Sequence, residues 1–188
     1  IIKLKNGLRL VLVESTDTAV VTVLVHANAG SRFEKEEVTG ISHFIEHMYF
    51  TGTDKRPTSN DIAKEIDAIG ADFNAHPSEE ITSYYIKAAS EHLERVVDVL
   101  SDMLGHSKLD VRELEKEKKV VIEELKLHED MPMSTVHDIF TETIFAGNPL
   151  SKRIGGTLET ISNLSREDLV NYRKNLYARD KILICVSG

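Results

Sequence analysis

Apolar residues recur along the chain with two periods, and the changes between them mark out strands and helices. Residues 1–4 and 8–13 flank Asn6-Gly7, a pair suited to positive φ, and predict two strands around a tight turn. Residues 20–27, rich in β-branched side chains, predict a third strand. Residues 72–76 and 81–88 predict an antiparallel pair, and the apolar run 181–186 a final strand. Helical spacing appears first at 40–50, then from a cap at Ser59 or Asn60 to Ile69 with Gly70 as its stop. Leu93, Val96, Val97, Leu100, Met103 and Leu104 predict a helix broken at Gly105-His106-Ser107. A long charged helix is expected over 111–129, stopped by Asp130-Met131-Pro132, with another over 134–146. Short helices at 158–161 and 167–175 complete the pattern. Strands first and last with helices between them predict an α+β fold, a mostly antiparallel sheet packed against helices.

The helix at 40–50 carries the candidate chemistry. With Gly40 at zero on a wheel, His43, Glu46 and His47 fall at about 300°, 240° and 340°. Ile41, Phe44, Ile45 and Met48 fall at about 40–140°, a face built for burial. Two imidazoles four residues apart suit a divalent metal such as zinc, and a carboxylate beside them can act on a metal-activated water. A catalytic zinc takes three protein ligands, so a third is required. On the long helix, Glu115 and Glu123 fall among lysines on a solvated face. Glu117 and Glu124 lie two turns apart between apolar residues, at about 40° and 20° when Glu113 is zero. A carboxylate so placed needs a cation, either a metal or a buried Arg or Lys. The wheel leaves both possibilities open, and either glutamate could be the ligand.

Composition narrows the setting. The 188 residues are 41% hydrophobic and 29% charged, ordinary for a globular protein. A net charge of −8, with no Lys/Arg-rich run, argues against nucleic acid as a partner. No apolar run reaches the roughly 18 residues of a membrane span. The lone Cys185 lies in a predicted strand and reads as packing. No leader is visible, and a cytoplasmic setting is expected.

His43-Phe-Ile-Glu46-His47-Met-Tyr-Phe-Thr-Gly-Thr53 resembles the signature of the inverted-motif, pitrilysin-like zinc peptidases. Asn6-Gly7, Gly30-Ser31-Arg32, Asn74-Ala75, Tyr84-Tyr85 and the run 117–124 follow the same family's pattern in order. The likeness covers essentially the whole chain and points toward bacterial relatives of the mitochondrial processing peptidase β subunit. In that family the third ligand follows the second histidine after 76 residues, and here 76 residues separate His47 from Glu124. The resemblance thus implies Zn²⁺ held by His43, His47 and Glu124, with Glu46 as general base and Glu117 in support. It implies that Phe73, Asn74 and Ala75 align an extended peptide or unfolded polypeptide. After Asn74-Ala75 the chain departs from the pattern with His76-Pro77, where relatives usually have an aromatic residue and a threonine. Family members are about twice this length per catalytic unit. Residues 1–188 are therefore expected to form one catalytic, N-terminal-type domain, with a second homologous half or subunit as partner. The alternative expectation is a zinc-binding but inactive half that needs a second chain.

Overall fold

The computed structural model describes residues 1–188. Its strands are β1 (Ile2–Lys3), β2 (Arg9–Val13), β3 (Val20–Ala27), β4 (Asp72–Pro77), β5 (Thr82–Ala89) and β6 (Ile182–Ser187). They form one sheet in the order β1-β2-β6-β3-β5-β4. Every neighbouring pair is antiparallel except β2 with β6. Strands β2 and β3 run in opposite directions, so a strand inserted between them must be parallel to one. Strand β4 lies at an edge.

The helices are α1 (Ile41–Tyr49), α2 (Ser59–Asp67), α3 (Leu93–His106), α4 (Val111–Glu129), α5 (Pro132–Ile144), α6 (Leu158–Asn163) and α7 (Arg166–Leu176). Period-two alternation buries Val21, Val23, Val25 and Ala27 of β3, the face on which α3 packs. Helix α1 lies against β4, with α4 behind it. Its Phe44, Ile45, Met48 and Tyr49 are fully buried, each such side chain worth about 1.5–3 kcal/mol relative to exposure. The wheel placed this apolar face correctly. The two histidines are thereby mounted on a helix whose opposite side is locked into the core.

Several boundaries differ from the sequence expectation. Thr58, not Ser59 or Asn60, caps α2: its hydroxyl accepts from Asp61 N while the Asp61 carboxylate accepts from Thr58 N, a reciprocal box. Helix α3 continues through Gly105 to His106 and ends at Ser107, whose hydroxyl donates to Met48 O. Helix α5 begins at Pro132, because proline fits the first helical position that it was expected to block. On α4, Val120 and Leu127 are exposed, whereas Ile122 packs against the core. Contacts with α1 and α6 rotate the buried face away from the average apolar direction.

Helix α5 has no buried residue. Its polar residues His137, Asp138, Thr141 and Glu142 line a cleft beside α1. Met133, Val136, Ile139, Phe140 and Ile144 fall on another side and are exposed.

Candidate metal centre

The centre begins with the first turn of α1. Gly40 occupies the N-cap position with φ +95°, a left-handed conformation that glycine tolerates without strain, and it offers no side chain to cap the helix. The buried Glu34 carboxylate does so from outside: Oε2 accepts from Gly40 N at 2.7 Å, and Oε1 accepts from Ser42 N at 2.8 Å. Burial lifts the Glu34 carboxyl to about 7, against the pull of the Ser42 and Gly40 hydrogen bonds and of Lys152.

One turn apart on α1, the His43 and His47 Nε2 atoms stand 3.2 Å from each other. Glu124 of α4 brings Oε2 to 3.4 Å from His47 Nε2 and 3.7 Å from His43 Nε2. Bonds of about 2.0–2.1 Å in a tetrahedron put ligand atoms about 3.3–3.4 Å apart. The three donor atoms therefore match the triangular face of a tetrahedral zinc site. Two imidazole nitrogens pointed at one another and at a carboxylate form a cluster that a cation resolves. His43, His47 and Glu124 are the group of side chains that the fold brings close enough together to hold a metal ion.

Glu117, two turns before Glu124 on α4, faces the other edge of His47, with Oε2 3.2 Å from Nδ1. A carboxylate accepts, so in the neutral ring this contact favours the proton on Nδ1 and leaves the Nε2 lone pair free for a metal. Burial disfavours the charged His47 ring, but the Glu117 hydrogen bond and the charges of Glu46 and Glu124 hold its pKa above the ordinary value. His43 differs. Burial, then the charge of His47, drives it down to about 4, and its Nδ1 is buried without a hydrogen-bond partner. Glu46 points to the same cleft, and burial pushes its carboxyl up to about 6. The wheel drew Glu117 and Glu124 alike. In the fold Glu117 is largely enclosed beside His47, whereas the Glu124 side chain is 53% exposed on the cleft rim.

The cleft has a volume of about 520 Å³ and is bounded by α1, the edge strand β4, α4, α5 and the loop 151–158. Asn74 and Ala75 line it. Phe73 does not. It alternates to the core side of β4 and packs on Phe50, with ring centroids 5.8 Å apart.

Besides Glu34, two supports around the site were not legible in the sequence. Arg56, in the segment between α1 and α2, is 2% exposed and binds Asp102, Asp98 and Glu65, pinning that segment to α2 and α3. The pair Gly155-Gly156 lies against the start of α1, where a Cβ on Gly156 would sit 2.3 Å from Thr39 O. Gly156 also has φ +75°. Gly156→Ala should therefore lower stability by about 1–3 kcal/mol from backbone strain, with the clash adding to it. Urea unfolding measures this, and an unchanged midpoint would contradict the packing described.

Residues 9–158 match the family model described as Insulinase (Peptidase family M16). The chain is 41% identical over 184 residues to a Bacillus subtilis protein named uncharacterized zinc protease YmxG, covering 98% of this chain and 45% of that protein. It is 37% identical over 185 residues to a probable mitochondrial-processing peptidase subunit beta of Arabidopsis thaliana, covering 98% of this chain and 35% of that one. A Helicobacter pylori protease superposes with TM-score 0.94 at 27% identity, over all of this chain and 45% of its own. The chain thus spans less than half the length of these relatives, and it belongs to peptidase family M16, the insulinase family.

Proposed function

We propose that the chain is the zinc-holding catalytic half of an endopeptidase, with His43, His47 and Glu124 as ligands. The observation that carries this is the triangle of three donor atoms, spaced as one face of a zinc tetrahedron, in a cleft that Glu46 shares. Zinc held there would polarise a scissile carbonyl and acidify a water. Glu46 takes a proton from the attacking water and delivers it to the leaving amine. Its raised pKa, near the working range, suits a group that must both accept and release that proton. Glu117 keeps His47 in the tautomer that presents Nε2.

The peptide lies extended along the edge strand β4, adding a strand to the sheet, with Asn74 and Ala75 facing it. Phe73 supports that strand from beneath, through its packing on Phe50. The test is elemental analysis of the purified chain together with cleavage of unstructured peptides. About one zinc per chain and peptide hydrolysis are expected. Zinc absent after purification in its presence would overturn the assignment.

The second reading, a half that binds zinc but cleaves only with another chain, is favoured by one feature. The apolar side of α5 lies open beside the cleft, and relatives about twice as long have further chain to cover it. Under this reading, hydrolysis appears only when a second homologous half is added.

A further inference from the structure

Within the proposed zinc site, the two histidines are supported unequally. His47 has Glu117 against its Nδ1, whereas His43 Nδ1 is buried and has no partner. The His43 ring is therefore placed by packing and by the backbone that carries it. That backbone is the first turn of α1, where the leading N–H groups have no partner within the helix. Gly40 gives them no side-chain acceptor.

Glu34, six residues before the N-cap Gly40, fills this role. It is 5% exposed, and its carboxylate takes three donors: Gly40 N, Ser42 N and, at 2.6 Å, Ser42 Oγ. Ser42 Oγ is also 2.5 Å from the Tyr172 hydroxyl, which ties the turn to α7. On the other side, Lys152 Nζ donates to Glu34 O, joining the loop that lies over the helix start. Two N–H groups at a helix N-terminus, with the dipole behind them, stabilise an anion there. Ser42 immediately precedes His43. Both oxygens of Glu34 thus hold the first turn of the helix from which His43 projects.

We propose that Glu34 is a positioning residue for the metal centre: by gripping Gly40 and Ser42 from outside the helix, it aims His43 at the point where His47 and Glu124 converge. This rests on the zinc reading above.

The role is tested with Glu34→Ala and Glu34→Gln, measuring zinc affinity by chelator competition, the visible spectrum of the cobalt-substituted protein, and the melting temperature of the metal-free form. Glu34→Ala should bind zinc about 10–100-fold more weakly, the range typical of residues that orient ligands. Glu34→Gln keeps the shape but turns an NH₂ toward a donor that the carboxylate had satisfied. It should fold, bind zinc roughly 3–10-fold more weakly, and shift the cobalt spectrum. A lowered melting temperature with wild-type zinc affinity and an unchanged cobalt spectrum would make Glu34 merely structural and overturn the inference. If Glu34→Ala does not fold, Glu34→Gln decides. Wild-type protein that binds no zinc would instead remove the reading beneath, and the inference with it.

Discussion

Glu46→Gln is expected to stop peptide hydrolysis while leaving zinc content at the wild-type level. The amide has nearly the size and shape of the carboxylate, so the packing of α1 should survive. What it lacks is a basic oxygen. Positioned general bases contribute about 10²–10⁴-fold, and here the same group must also return the proton to the leaving amine. Glu46 is not one of the three converging donor atoms, so its loss should not release the metal. The measurement is kcat on an unstructured peptide alongside the zinc-to-protein ratio, in whichever state, alone or with a second half, shows wild-type turnover. Hydrolysis within tenfold of wild type would remove Glu46 from its role. Loss of zinc together with activity would show instead that Glu46 helps to hold the ion.

Glu46 and the two histidines could be read directly from the sequence because they share a single helix. A spacing of four residues fixes their relation through local geometry alone, and the apolar residues between them show which side is buried. The long helix was harder. Its wheel correctly put Glu115 and Glu123 on the solvated face, where they pair with Lys118 and Lys126. It could not separate Glu117 from Glu124. The difference between them is a contact with His47 from one side or the other, and that depends on how α4 is rotated against α1. The same rotation explains why Val120 is exposed and Ile122 is packed. Glu34, Arg56 and Gly156 escaped because each acts on a partner outside its own element. Glu34 reaches forward to a helix that has not yet begun, and Gly156 must approach Thr39 from far along the chain. An acidic residue in a charged loop, before folding, looks like any other. At β4 the family likeness named three consecutive residues, but strand alternation puts Phe73 and Ala75 on the core face and Asn74 on the other; Asn74 and Ala75 still line the cleft, whereas Phe73 does not.

The choice between neighbouring carboxylates gives the sharpest test of the metal assignment. Glu124→Gln should weaken zinc binding on the order of 100-fold or more, since it removes the anionic donor of the triangle. Glu123→Gln should change it by less than about threefold. That side chain is solvent-facing, and its Lys126 partner at 2.7 Å forms an exposed pair worth about 0–1 kcal/mol. Chelator competition on the two variants side by side measures the contrast, and equal affinities would mean that the wrong carboxylate had been chosen. The pH dependence adds a second constraint. A histidine must be neutral to bind zinc, so protons compete with the ion. His43, with its pKa near 4, offers no such competition around neutrality, whereas His47, raised above its ordinary value, does. Wild-type affinity should thus level off above the His47 pKa and fall about tenfold per pH unit below it. Glu124 is one of the charges that raise His47, so its removal lets the ring lose its proton at lower pH. The affinity gap between wild type and Glu124→Gln should therefore narrow on acidification, while Glu123→Gln follows the wild-type curve throughout.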